Sequence, residues 1–246
     1  MKSLKKFSLG LIGLLSLIFC LGSSVSAHNP RLVYQTATNS NNPYQITQPE
    51  ISQAFYGDLK WDSDYYQIKS ETWFNLYVNI VVPIISGART DFQVVILNAQ
   101  GSVLKILDGI NAQRKDFYEP FAGDAYYQGP EWDQDVGPGT YTLIVSNPYN
   151  QGKYSLAVWK IERFTIKDIV HTLAVLGNLK TQFFGKPIWT MFYNLTGVFL
   201  LAVIVALIAV ILFVRFVINK IIRKSSKNKK IISKSTKPKK QKRPRK

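Results

Sequence analysis

Trp73-Phe74-Asn75-Leu76-Tyr77-Val78-Asn79-Ile80-Val81-Val82 decides the fold. Phe74, Leu76, Val78, Ile80 and Val82 recur at every second position and share one face. Asn75 and Asn79 fall on the other. Side chains of a strand alternate between faces, so this pattern predicts a long strand buried on one side. The same period appears on either side of it. Residues 65–70 and 92–97 read as strands, and 102–107 follows the short Asn98-Ala99-Gln100-Gly101 turn of a hairpin. In 140–147, Tyr141, Leu143 and Val145 share a side, as do Tyr154, Leu156 and Val158 in 153–159. The intervening Pro148-Tyr149-Asn150-Gln151-Gly152 has turn chemistry. About six strands at this spacing, with no βαβ rhythm, predict an all-β, antiparallel, jelly-roll-like sandwich over 50–164. Residues 28–49, rich in Asn, Gln, Thr and Pro, lack a period and read as an exposed N-terminal arm with an edge strand at most.

Two motifs in this region resemble the bacterial pre-peptidase C-terminal (PPC) domain. One is Asp62-Ser63-Asp64-Tyr65-Tyr66-Gln67-Ile68 before the long strand. The other is Gly137-Pro138-Gly139-Thr140-Tyr141-Thr142-Leu143-Ile144-Val145, followed by Gly152-Lys153-Tyr154-Ser155-Leu156. The resemblance covers roughly 50–160 and implies a jelly-roll-like β-sandwich of secreted and surface proteins, often found beside peptidases. No peptidase domain has room in this chain, so the resemblance implies the fold and not a protease.

The 246 residues carry 31 Lys+Arg against 15 Asp+Glu, a net charge of +16. That charge is local. Residues 220–246 hold 14 basic residues and no acid, while 28–195 hold 13 basic and all 15 acidic residues, a balance of −2. The high pI therefore describes a tail and not a binding face.

Two apolar segments predict a membrane protein. Lys2, Lys5 and Lys6 precede the apolar run 7–21, and Val25-Ser26-Ala27 ends it with small residues, the pattern of a signal peptide over 1–27 cleaved before His28. An uncleaved anchor is the alternative. A lipobox at Cys20 lacks the required small residue, because Phe19 precedes it. Residues 196–218 form the second segment, and 197–214 contain no polar side chain. Those 23 residues reach ~35 Å as a helix, enough to cross a bilayer. The basic 219–246 flank belongs in the cytoplasm, which places 28–195 outside. Trp189, Phe192 and Tyr193 match an outer aromatic belt, and Arg215, Lys220, Arg223 and Lys224 match the inner boundary. The expected localisation is the cell membrane, single-pass, with the tail inside. The tail reads as disordered and as a contact for the bilayer's anionic lipids, with low-specificity nucleic-acid contact the lesser alternative.

Between sandwich and span, Thr165-Ile166-Lys167-Asp168 resembles a capping box. Ile166, Ile169, Val170, Leu173 and Leu176 then predict a helix, with Gly177-Asn178 as a stop and 179–184 as a resumption. That stripe packs on the sandwich or a partner, or lies along the outer leaflet, with Phe183-Phe184 at the interface. His171 faces solvent on this reading. Asn194-Leu195-Thr196 matches the N-glycosylation pattern but abuts the span.

No catalytic motif is present: no G-x-S-x-G, H-E-x-x-H, Walker A or G-x-G-x-x-G. Two distant histidines, His28 and His171, and one cysteine argue against a His- or Cys-based metal site or triad. The densest acidic and aromatic stretch is 116–135, with Asp116, Glu119, Asp124, Glu131, Asp133 and Asp135 among Phe117, Phe121, Tyr126, Tyr127 and Trp132. It has three readings. It is a solvated loop; or Asp124, Glu131, Asp133 and Asp135 gather oxygen ligands for Ca2+; or Tyr126, Tyr127 and Trp132 form a platform for carbohydrate or peptide. Asp58, Asp62 and Asp64 around Trp61 form a smaller group, either joining a calcium site or sitting in a turn. The expected function is non-enzymatic: a surface sandwich that binds a ligand or mediates adhesion. The alternative is an accessory subunit that contacts a membrane-protein partner through 165–195 and the span.

Overall fold

The computed structural model describes residues 28–36, 38–49, 51–158 and 166–235. The signal-peptide reading, the capping residue Thr165 and the last eleven tail positions lie outside the described residues. Two compact units divide the chain. One runs from Ser24 to Val198, and the other contains Phe199–Lys246.

The first unit is a β-sandwich of eleven strands. They are β1 (Asn29–Leu32), β2 (Tyr44–Ile46), β3 (Gln53–Lys60), β4 (Asp64–Ser70), β5 (Phe74–Pro83), β6 (Gln93–Leu97), β7 (Val103–Asp108), β8 (Lys115–Glu119), β9 (Asp124–Val136), β10 (Gly139–Ser146) and β11 (Gln151–Val158). One sheet has the order β1-β3-β11-β5-β9-β8 and the other β2-β4-β10-β6-β7. β5 is the strand read first from the sequence, and Phe74, Leu76, Val78, Ile80 and Val82 all lie in the core between the sheets. Tyr141, Leu143 and Val145 of β10 and Tyr154, Leu156 and Val158 of β11 join them. Each fully buried Leu, Ile, Val or Phe contributes roughly 1.5–3 kcal/mol, so this cluster holds the sheets together without a disulfide.

The sheets are mixed, not purely antiparallel, because of the N-terminal arm. Its residues are not an exposed extension. β1 pairs parallel with β3, with Asn29 opposite Gln53. β2 pairs parallel with β4, with Tyr44 opposite Tyr66. The arm thus supplies one edge strand to each sheet. Its short strands carry no period because their anchors are single side chains. The Thr38 hydroxyl donates to Asp64 Oδ1 at 2.8 Å and accepts from the Tyr65 amide at 3.1 Å. Gln53 Nε2 donates to the Thr47 and Gln48 carbonyls.

A polar bolt joins the two sheets. Tyr66 of β4 and Tyr154 of β11 are fully buried, and their hydroxyls lie 2.7 Å apart. The Tyr154 hydroxyl also donates to Asp64 Oδ2 at 2.6 Å. Burial pushes the Asp64 carboxyl above the ordinary carboxylate range, against the two hydroxyl bonds that oppose the shift. Opposite Tyr154 on β3 stands Gly57, where an added Cβ would lie 2.2 Å from the tyrosine ring. Only glycine lets that ring lie flat across the strand.

Residues 116–135 are not a loop. They form the hairpin β8–β9, with Phe117 opposite Tyr126 and Glu119 opposite Asp124. A bulge opposite Ile80 shifts the register, since Asn79 pairs with Glu131 and Val81 with Gln128.

After the sandwich, helix α1 (Ile166–Asn178) runs directly into a π-helical turn, Leu179–Phe183, without the break expected at Gly177-Asn178. A 3-10 turn follows (Ile188–Phe192), and then helix α2 (Leu195–Ser235). Leu176, Leu179, Phe183 and Phe184 are buried against Ala54, Tyr56 and Tyr126 on the outer face of the six-stranded sheet. Of the two placements open to this segment, the structure has the sandwich. Phe183 and Phe184 are 0% and 6% exposed, so neither sits at a membrane interface. His171 is exposed, as expected.

Leu195–Ile222 of α2 is long and apolar enough to cross a membrane, with mean hydropathy 3.3 and 6% of its most apolar stretch buried. The helix then continues through the basic residues to Ser235, where the sequence had suggested disorder from Lys220. Lys and Arg are good helix formers, and extending an existing helix avoids the cost of nucleation.

Candidate functional site

The outer face of the six-stranded sheet carries the polar chemistry of the unit. One part is a clamp. Asp124 begins β9 with its side chain fully buried, and Lys180 of the π turn reaches it at 2.6 Å with its own side chain fully buried. Lys186 Nζ reaches the other carboxylate oxygen at 2.7 Å. Burial pulls the Lys180 ammonium below the usual lysine range, and the Asp124 carboxylate opposes that pull. Lys180 also donates to the Ala122 carbonyl.

The same β8–β9 turn receives the start of α2. Asn194 Nδ2 donates to the Ala122 carbonyl at 2.8 Å, the Leu195 amide to the Pro120 carbonyl at 3.1 Å, and Thr196 Oγ1 to the Phe121 carbonyl at 2.9 Å. Asn194 Oδ1 caps the helix by accepting from the Gly197 amide at 2.9 Å. Gly123 completes the turn at φ +74°, and a Cβ there would meet the Asn194 side chain at 2.9 Å. Glu119 closes the turn from the other side by accepting from the Phe121 and Ala122 amides at 2.8 and 2.6 Å. Burial raises its pKa, partly offset by those two bonds.

Beside the clamp lies a groove of about 410 Å³. Its floor is made by small side chains of the central strands: Ala54 on β3, and Ser155 and Ala157 on β11. Tyr56, Tyr77, Phe117 and Tyr126 wall it, and Asn79 and Glu119 add polar groups. The alternation that sends Phe55, Val78, Ile80, Leu156 and Val158 inward sends these residues outward. The Tyr56 and Tyr126 hydroxyls share a hydrogen bond at 3.1 Å. Glu131, on the same face, accepts from the Tyr77 hydroxyl at 2.7 Å and from Asn79 Nδ2 at 3.3 Å. Asn79 is 2% exposed, and its Oδ1 has no hydrogen-bond partner among the described residues.

The sequence-predicted site residues do not come together as one group, although Asp133 and Asp135 share a partner. Asp124 is taken up by two lysines. Glu131 binds Tyr77 and Asn79, while Asp133 and Asp135 accept from Asn75 Nδ2 at 2.9 and 3.1 Å. No group of three or more His, Cys, Asp or Glu side chains that could hold a metal occurs among the described residues. Of the smaller acidic group, Asp64 belongs to the inter-sheet bolt and Asp58 lies 4.0 Å from Lys60. The aromatic platform is divided by the strand itself. Tyr127 and Trp132 pack against the inner core, whereas Tyr126 is buried on the outer face. Trp189, Phe192 and Tyr193 are exposed beside α2, as are Arg215 and Lys220 on it. The side chains of Arg223 and Lys224 lie outside the described residues.

Sequence reasoning placed Asn79 on the outer face but missed the groove. The available signal was the run of small residues at outward positions, Ala54, Ser155 and Ala157, in strands whose inward positions are large.

Fold and face together define a two-sheet β-sandwich followed by one helix able to span a membrane. No family model matches the chain, and no curated protein does. Among solved structures, the chain is similar to the pre-peptidase C-terminal domain of a collagenase from Bacillus anthracis. The two share 15% identity over 50% of this chain and 98% of that one, with a TM-score of 0.31. It is also similar to a beta-glucosidase from Paenibacillus barengoltzii, at 10% identity, 55% coverage of this chain and a TM-score of 0.24. The match spans 13% of that glucosidase.

Proposed function

We propose that the chain is a non-enzymatic, single-pass membrane protein that presents its sandwich outside the cell as a ligand-binding module. The observation that carries this reading is the groove. Small floor residues, aromatic walls and a buried amide oxygen without a donor make a site that is incomplete by itself. The bonds of Asn194, Leu195 and Thr196 serve the same end, because they tie these residues to the β8–β9 turn of the sheet that carries the groove. Anionic lipids are the partner for the basic tail beyond the span.

The test uses the full chain in lipid nanodiscs on glycan and peptide arrays. Captured ligands are expected, unaltered by the protein, and their signal should fall at least tenfold for Ala54→Leu, which fills the floor. Capture unaffected by Ala54→Leu, or turnover of the captured ligand, would overturn the reading. A second reading, an accessory subunit of a membrane enzyme, is favoured by the exposed Ile188, Trp189 and Phe192 just before α2. Cross-linking in native membranes that yields one stoichiometric protein partner would support it instead.

A further inference from the structure

We propose that the groove over Ala54, Ala157 and Asn79 is a binding site for a primary alkylammonium, an inference that rests on the binding-module reading above. The orientation of Asn79 is the first reason. Its Nδ2 donates to the Glu131 carboxylate, and a reversed amide would set oxygen against oxygen. Oδ1 is therefore held as the free end, buried and without a donor among the described residues. An unmet buried acceptor costs about 1–3 kcal/mol, and a ligand N–H recovers that cost.

The second reason is the balance of donors and acceptors. The Tyr77 hydroxyl and the Asn79 amide nitrogen both donate to Glu131, and the Tyr56–Tyr126 bond uses one of those two hydroxyl protons. The acceptors that remain for a ligand are the Asn79 oxygen and the carboxylates of Glu119 and Glu131, beside the Gln128 amide at the rim. An ammonium carries three donors and no acceptor, whereas a sugar hydroxyl asks for both.

Charge is the third. Glu119 lines the groove, Glu131 borders it, and no lysine or arginine is among the lining residues. Most nearby cations are engaged, while Lys115 shares the outer face of β8 with Phe117 and Glu119 and Arg114 lies against Gly129. Lys180 and Lys186 belong to Asp124, Lys153 donates to the Gln182 and Phe183 carbonyls, and Lys115 is exposed at the edge of the sheet. His28, which also lines the groove, is hydrogen-bonded through Nδ1 to Ser52. The two carboxylates, Glu119 in the lining and Glu131 beside it, favour a cation over an anion here. The aromatic walls suit both halves of the ligand, since ring faces attract a cation within about 6 Å and pack against an alkyl stem.

Isothermal titration of the full chain in nanodiscs tests the assignment. The probes are 1,5-diaminopentane, Nα-acetyl-lysine amide, the neutral isostere 1,5-pentanediol, and glucose. Saturable binding of at least one amine is expected, with pentanediol at least tenfold weaker. Glu131→Gln, an isosteric change at an exposed position, and Asn79→Leu should each weaken the amine at least tenfold. Pentanediol binding as tightly as the diamine, or amine binding unchanged in both variants, would overturn the proposal. Glucose binding lost in Asn79→Leu without amine binding would overturn the ammonium class yet leave the binding module standing. Failure of every probe here, together with empty arrays, would end both.

Discussion

Single side chains decide more of this protein than their spacing reveals. Asp64 stands in the acidic run beside Trp61 and reads from sequence as a surface or calcium carboxylate. In the fold it accepts from Thr38 and Tyr154 and ties the arm to the inter-sheet bolt. The two motifs that resemble the PPC domain, around Asp64-Tyr65-Tyr66 and Gly152-Lys153-Tyr154, thus meet in space through one chain of hydroxyls. Because burial raises the Asp64 pKa above its unfolded value, the native state keeps a proton at pH values where the unfolded chain has lost it. Protonation therefore stabilises the fold progressively as pH falls from neutral toward the unfolded carboxylate pKa of about 4. Asp64→Asn removes this titration. The melting temperature of wild type relative to Asp64→Asn should rise between pH 7.5 and pH 4.5, and a relative fall would contradict the assignment.

At the scale of elements, hydrophobic period was the most legible signal. β4, β5, β6, β7, β10 and β11 and helix α1 lie where alternation or the helical stripe places them, because a half-buried element must write its buried face into its sequence. β3 was not read as a strand, because nearly all of its positions are buried and Ala54-Phe55-Tyr56-Gly57 shows no alternation of apolar and polar side chains. Three further features escaped for physical reasons. β1 and β2 are short edge strands held by side-chain hydrogen bonds, so they need no apolar period. β8–β9 has polar outward positions that bind other strands or the π turn, which makes a strand look like a solvated acidic loop. The acids were read as one cluster because sequence shows proximity along the chain, whereas Asp124 is held by two lysines and Glu131 by Tyr77 and Asn79, and only Asp133 and Asp135 share a partner, Asn75. Lys180 likewise looked like an ordinary surface cation. Asp124→Ala would leave its ammonium buried without the carboxylate, a loss of about 3–5 kcal/mol by analogy with other broken buried pairs. Hydrogen exchange should then accelerate most across 176–186, ahead of the β5 core. Equal acceleration across the whole sandwich would show that the clamp is not a local device.

For the whole molecule, the helix able to cross a membrane was legible and the groove was not. Eighteen consecutive residues without a polar side chain, 197–214, make a helix long and apolar enough to cross a membrane, and the basic flank supplies the orientation argument. A groove leaves no such trace, since it is made by small residues on strands far apart in sequence, with Ala54 and Ala157 opposite each other across the β3–β11 ladder. The account's central claim is that the sandwich and its groove face outward while the basic end of α2 stays inside. The direct measurement is labelling of intact cells with a membrane-impermeant maleimide, using Thr72→Cys in the β4–β5 turn and Ser233→Cys near the end of α2, each in a Cys20→Ser background. Labelling of Thr72→Cys on intact cells, with Ser233→Cys labelled only after permeabilisation, is the predicted result; the reverse pattern would contradict the account.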